Sequence, residues 1–325
     1  MRAAPRRSLP AQVLRRIVQP VFPGCRLLSI EPLCDGLRNA NFKLRLDPAA
    51  EPVALRIYEH DVSLCQKEVD LMRLVDGSVP APEVIHAEPN GWDDLPPFIL
   101  TRWIEGITFR DLKRTGDAQA IGEAAQAVGE ALAAIGRFTF PKPGWLMPGP
   151  AVGPPLAEGA DALPRFVDLC LAADNLRLRM PAPLRDRTQT MMWSWAPQLR
   201  GIEEHASLVH GDFNRRNLLV RMARGRWSVA AVLDWEFAVS GSPLGDLGNF
   251  LRYERIARPI AEPHFSAGYE RAGGCLPHEW RRLARLLNLV AVCESLTHDE
   301  LPETVAAELV ELVRATIQDR DPHFG

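Results

Sequence analysis

His210-Gly211-Asp212-Phe213-Asn214-Arg215-Arg216-Asn217-Leu218-Leu219-Val220 is followed by Ala231-Val232-Leu233-Asp234-Trp235-Glu236 and then by Gly245-Asp246-Leu247-Gly248. The spacing has a chemical logic. Asp212 is a carboxylate fit to accept a hydroxyl proton. Asn217 stands five residues on, far enough for a loop to bring its amide back toward the same place. Asp234 follows an apolar run of strand character. Carboxylate and amide oxygens are the hard donors that Mg²⁺ prefers. The apolar runs Leu218 to Val220 and Val229 to Leu233 would hold both Asn217 and Asp234 on rigid strands. The ordinary alternative for all three polar residues is capping of loops and turns.

Outward from this stretch, the first hundred residues are strand-rich. Arg26 to Leu33, Ala40 to Leu46 and Pro52 to Tyr58 read as strands. Phe42, Leu44 and Leu46 share one face of the second, and Val53, Leu55 and Ile57 share one face of the third, the period of a half-buried strand. Asp35-Gly36 marks a turn between the first two. A helix follows from about Val62 to Val75, with Cys65, Val69, Met72 and Val75 forming an apolar stripe. Pro82 to Ala87 and Pro97 to Ile104 read as two more strands. Beyond Gly106 the pattern turns helical. Asp117 to Arg137 is a long helix with Ile121, Ala125, Val128, Leu132 and Ile135 in register. Pro141 to Pro155 reads as a loop, and Arg281 to Leu296 and Pro302 to Ile317 as closing helices. A boundary is expected near Ile104 to Gly106.

Composition narrows the partners. The chain has 325 residues, 46% hydrophobic and 24% charged, ordinary values for a folded globular protein. With 38 Lys and Arg against 41 Asp and Glu the formal charge is −3, which gives no reason to expect nucleic acid or an anionic membrane as a partner. Six cysteines without a C-x-x-C pair are too few for a disulfide scaffold. No run of residues resembles a signal peptide or a membrane span, and a cytoplasmic protein is expected.

The motif resembles that of the aminoglycoside phosphotransferase and choline kinase superfamily, small-molecule relatives of the protein kinases. Those proteins carry H-G-D-x-x-x-x-N, then an apolar-apolar-D-W-E segment and a later D-L-G/A. The resemblance covers the chain from about Leu33 to Leu251. It implies an α+β, bilobal protein-kinase-like fold: a small antiparallel-sheet N-lobe at 1–104, a hinge at about 101–106, and a larger, mainly helical C-lobe at 105–325. It implies transfer of the terminal phosphoryl group of ATP, or of GTP, to a hydroxyl of a small acceptor. Asp212 would be the catalytic base and Asn217 and Asp234 the Mg²⁺ ligands. His210 and Asp246 would support the loop structurally. Gly36 and Asn39 would approach the phosphates. Arg56 would contact them where protein kinases use Lys, and a forked, permanently charged guanidinium suits that task. Glu68 would pair with Arg56. The Arg102 carbonyl and the Ile104 amide would meet the adenine, with Thr101 at the entrance to the deeper pocket.

The acceptor is less legible. Relatives of this kind phosphorylate antibiotics, choline, ethanolamine, homoserine and sugars. From Arg252 to Gly325 twelve Asp and Glu stand against nine Lys and Arg, a slight excess that does not demand a polycation. Trp193, Trp195 and Trp280 suit either ordinary packing or a wall for a cationic substrate. Glu294, Thr297, His298, Asp299 and Glu300 form a polar cluster near a helix end. A protein kinase is disfavoured, because H-R-D and D-F-G are missing and no A-P-E segment follows the motif. A non-catalytic nucleotide-binding module is the further alternative, and the intact Asp212, Asn217 and Asp234 argue against it.

Overall fold

A computed structural model describes residues 11–33, 39–48, 51–59, 61–254 and 258–318. It divides into two compact units. The first comprises the described residues up to Gly106 together with Met147–Ala151 and Ala230–Glu236; the second comprises the rest.

The first unit opens with helix α1 (Ala11–Val21), which the sequence reading did not anticipate. Strands β1 (Arg26–Leu33), β2 (Ala40–Asp47) and β3 (Val53–Ile57) follow, then helix α2 (Leu64–Val75), β4 (Val84–Glu88) and β5 (Phe98–Arg102). The strands form one antiparallel sheet in the order β1-β2-β3-β5-β4. The expected alternation holds. Phe42, Leu44, Leu46, Val53, Leu55, Ile57, Phe98 and Leu100 all point into one core, where α1 adds Leu14, Ile17 and Val18. Register pairs Arg56 with Asn41 and Ile99, and alternation puts Arg56 on the face away from that core. Helix α2 buries its predicted stripe, and Glu68 goes inside with it.

The second unit is mainly helical. Its elements in chain order are β6 (Ile107–Thr108), α3 (Phe109–Thr115), α4 (Ala118–Ile135), β7 (Gly144–Met147), β8 (Ala151–Val152), α5 (Ala162–Ala172), α6 (Asp174–Arg179), α7 (Ala182–Ser194) and α8 (Ala196–Glu203). Next come β9 (Ser207–Val209), β10 (Leu218–Ala223), β11 (Arg226–Val232), β12 (Val239–Gly241), α9 (Leu244–Leu251), α10 (His264–Arg271), α11 (Trp280–Ser295) and α12 (Glu303–Ile317). Part of β7, β8 and β11 counts with the first unit. Asp117 caps α4 by accepting the Ala120 N–H at 3.0 Å, the ordinary role of an N-cap aspartate. Gly129 lets α10 approach: a Cβ there would lie 2.1 Å from the Phe265 carbonyl oxygen.

The stretch Pro141 to Pro155 corrects the expectation of a loop, since it contains β7 and β8. Backbone pairing accounts for this. Val239 and Ser240 of β12 register with Trp145 and Gly144, and on its other side β12 pairs with β9. A ladder supplied by distant residues overrides local Pro and Gly content. The described cysteines are free. No helix among the described residues is long and apolar enough to cross a membrane.

Candidate active site

In the second unit, β9 leads into a loop from His210 to Asn217 that returns along β10. The buried carboxylate of Asp246, in the first turn of α9, accepts the backbone N–H of His210 at 2.7 Å and of Gly211 at 3.0 Å. Burial pushes Asp246 up to about 7, and these two backbone donors pull against that shift. Gly211 has φ +80°, and a Cβ there would sit 2.2 Å from the Phe237 carbonyl oxygen. Only glycine meets both demands. Its own carbonyl accepts from Asn249 Nδ2 at 3.2 Å. His210 is fully buried, and its Nδ1 accepts the Asp212 N–H at 3.2 Å.

Asp212 is held at both carboxylate oxygens. Asn214 Nδ2 donates to Oδ1 at 2.8 Å and Asn217 Nδ2 donates to Oδ2 at 2.8 Å. Asn217 Nδ2 also donates to the Asp212 carbonyl at 3.0 Å. The amide nitrogen of Asn217 is thus spent on Asp212, and its Oδ1 is left as the acceptor of that side chain. Asp212, Asn217, His210 and Asp246 therefore lie in one hydrogen-bonded array.

The first unit gathers a second array. Arg56 Nη2 lies 2.6 Å from Asp234 Oδ1 and 2.7 Å from Glu236 Oε2, and its Nε lies 3.3 Å from Glu68 Oε2. Asn39 Nδ2 donates to Glu236 Oε2 at 2.9 Å. Glu68 accepts the Tyr58 hydroxyl and, at 3.3 Å, the Trp235 N–H. Three carboxylates around one guanidinium are crowded. Burial, and then the neighbouring Asp234 charge, push Glu236 up to about 7. Glu68 is raised by burial despite the Arg56 charge beside it. Asp234 has φ +70°, a left-handed conformation uncommon outside glycine, which aspartate tolerates better than most residues.

The other nucleotide candidates are placed as follows. The Arg102 side chain turns to Glu83 at 2.7 Å and Glu51 at 2.9 Å, and Ile104 lies half-buried just past β5. Neither joins the array around Arg56. Gly36 lies outside the described residues. The three tryptophans each face an arginine of this chain: Arg165 over Trp193, Arg282 over Trp195 and Arg281 over Trp280. In the polar cluster His298 meets Glu294 at 2.7 Å, and Arg179 Nη1 donates to the carbonyls of Leu296 at 2.7 Å and His298 at 2.6 Å.

Glu236, Tyr58, Asn214 and Asn249 were missed by the sequence reading. Glu236 had a signal, an acid two places past Asp234. Asn214 and Asn249 had none beyond their proximity to the motif.

The donor chemistry fits magnesium. Asp234 and Asn217 each present a hard oxygen, and Asp234 Oδ2 has no protein partner among the described residues while Oδ1 meets Arg56. Glu68, Asp234 and Glu236 also offer carboxylate oxygens within 4.8 Å of one another.

A family model described as "Phosphotransferase enzyme family" matches residues 29–286. The chain belongs to that family. It is a phosphotransferase. Among solved structures, aminoglycoside phosphotransferase APH(4)-Ia is 18% identical with a TM-score of 0.72, over 96% of this chain and 100% of that one. A thermostable mutant of the same protein, in ternary complex with AMP-PNP and hygromycin B, is 17% identical with a TM-score of 0.70, over 95% and 99%. The GDP and kanamycin complex of APH(2")-IIia is 17% identical with a TM-score of 0.67, over 95% and 99%. These likenesses give this phosphotransferase a kinase-like α+β fold, with an antiparallel sheet in the N-terminal region and helices in the C-terminal region. By sequence, no curated protein matches it.

Proposed function

We propose that this phosphotransferase moves the terminal phosphoryl group of a nucleoside triphosphate to a hydroxyl of a small acceptor. The observation that carries the reading is Asp212, whose two carboxylate oxygens are fixed by Asn214 and Asn217 at 2.8 Å each in a family-matched loop. A carboxylate held in this way is oriented for an incoming hydroxyl before any substrate arrives. It would take the hydroxyl proton as the new bond to phosphorus forms. Arg56 would meet phosphate oxygens, and Glu68 and Glu236 hold its guanidinium in place. Asn217 Oδ1 and Asp234 would hold magnesium, which when bound would neutralise negative charge on the phosphates. Asn39 would lie toward the nucleotide, and the Arg102 carbonyl and Ile104 amide toward its base.

The relatives' complexes with AMP-PNP and with GDP support a purine nucleotide donor and leave both ATP and GTP to be tried. Their acceptors, hygromycin B and kanamycin, make aminoglycosides the first class to test. The slight acidic excess at the C-terminal end keeps choline, ethanolamine, homoserine and sugars in the same panel.

The experiment is phosphoryl transfer from ATP and from GTP with Mg²⁺ across that panel, with Asp212→Ala as the blank. Transfer that falls roughly 10²- to 10⁴-fold in the variant is the expected result. A variant with the wild-type rate would remove Asp212 from its role. Saturable nucleotide binding with no transfer to any acceptor would favour the non-catalytic module.

A further inference from the structure

Asp246 and Asn249 hold the start of the loop at His210 and Gly211. Neither reaches its second half, where Asn214 and Asn217 aim the Asp212 carboxylate. The residue between those two amides that turns inward is Arg215. It is 9% exposed, whereas its neighbour Arg216 is on the surface. The Arg215 carbonyl accepts the Arg110 N–H at 2.9 Å, and its guanidinium reaches Glu254 Oε1.

Glu254 is one of the most enclosed acids in the chain, with 1% of its side chain exposed. Lys113 Nζ of α3 lies 3.0 Å from the same Oε1. The other oxygen, Oε2, accepts the Ala261 N–H, and Lys113 donates as well to the Pro259 carbonyl. Both oxygens of this buried carboxylate are thereby satisfied, while Arg215 Nε is buried without a partner among the described residues. Such a cluster is weak evidence for added stability, because desolvation offsets much of the attraction. Its geometric effect is definite: it fixes Arg215 against α3 and the segment after α9. Phe213, fully buried beside Phe250 at 6.3 Å, pins the same half of the loop by packing. Nine residues, Asp246 to Glu254, therefore carry anchors for both ends of the loop.

We propose that Arg215, held by Glu254, which Lys113 anchors in turn, is a positioning residue that sets the aim of the Asp212 carboxylate through the flanking amides of Asn214 and Asn217. This rests on Asp212 being the base. Loss of the brace lets residues 214 to 217 shift, and both oxygens of Asp212 lose their fixed donors together. Nucleotide binding measured without Mg²⁺ should change little, because Arg215 and Glu254 offer nothing to a ligand from their buried positions and Asn217 would act through the metal.

The test uses the full chain carrying Arg215→Met or Glu254→Gln, each alone and combined with Asp212→Ala. Transfer to the acceptor found in the panel is measured, or hydrolysis of the nucleotide by water if none is found. Each single variant is expected to lose roughly 10- to 100-fold in kcat, with the Kd for nucleotide measured without Mg²⁺ within about 2-fold of wild type. In the Asp212→Ala background the same substitution is expected to cost less than about 2-fold, since no carboxylate is left to aim. Losses that multiply unchanged in that background, or that fall on KM alone, would overturn the proposal. If Arg215→Met does not fold, Glu254→Gln decides, because it keeps shape and acceptor oxygen while removing the charge. A separate readout is hydrogen exchange of the amides from 210 to 217, expected to quicken at least about tenfold in Glu254→Gln; unchanged exchange refutes the brace even if Asp212→Ala has kept its rate and the base assignment has failed on its own.

Discussion

Glu236→Gln should make the protein more stable at pH 8 than the native sequence, and progressively less so toward pH 5. In the folded chain Glu236 is 4% exposed, faces Asp234 and Glu68, and accepts from Arg56 and Asn39. Lys67 is the other cation that feels its charge. These surroundings push its carboxyl from 4.5 up to about 7. A carboxyl raised on folding binds its proton more tightly in the folded state. Its contribution is complete below 4.5 and is lost as the pH rises through 7. At ~1.4 kcal/mol per pH unit the whole effect is about 3 kcal/mol, most of which falls between pH 5 and pH 8. Glutamine keeps an oxygen for Arg56 and Asn39 and does not titrate. The stability difference between the two proteins should therefore shift by roughly 2–3 kcal/mol in favour of the variant over that interval. Urea unfolding of both at pH 5, 6, 7 and 8 measures it, and Trp235, fully buried beside the site, contributes to the fluorescence signal. A difference constant to within about 0.5 kcal/mol across the range would show that Glu236 titrates as an ordinary carboxyl and that the crowding argument is wrong.

Arg56→Met should destabilise the protein by about 3–5 kcal/mol at pH 8, the usual result of leaving buried carboxylates without their cation; adding Glu236→Gln should restore part of that loss, and purely additive effects in denaturation would contradict the shared array. Asp234→Asn should weaken nucleotide binding at least about tenfold in the presence of Mg²⁺ and little in its absence, since it removes a charged metal ligand; calorimetric titrations with and without the ion separate the two, and equal weakening in both would exclude a metal role. Gly211→Ala should cost more than about 1 kcal/mol, because it adds strain at φ +80° to a clash with backbone; an unchanged thermal midpoint would mean that the loop adjusts freely.

What the sequence disclosed follows from the range of the forces concerned. Period-two alternation at Phe42, Leu44 and Leu46 is local, so the strands were legible. The hydrogen-bonded pairing of Asp212 with Asn217 was legible because the two stand five residues apart, and Asp234 stood out at the end of an apolar run. Helix α1 carried the stripe Leu14, Ile17 and Val18, but Arg15, Arg16 and Pro20 obscured it. The strands within 141–155 depend on β12, almost a hundred residues away, and no local pattern announces a borrowed ladder. The contact of Asn39 with Glu236 spans 197 residues, and that of Arg215 with Glu254 depends on burial. Such pairs leave no mark in spacing.

The composition of the first unit has a consequence for biosynthesis. Its sheet is complete by Gly106, yet Asp234 and Glu236 belong to it, and the Val232 N–H bonds the Pro80 carbonyl at 2.8 Å. A ribosome adding about 5–20 residues per second needs roughly 6 to 25 s to pass from Gly106 to Ala230. Throughout that interval the emerging sheet lacks two of the acids around Arg56 and the strand that covers Pro80. The nascent protein therefore waits half-assembled, and this interval is when it is most open to chaperones, to proteases and to association with its own copies.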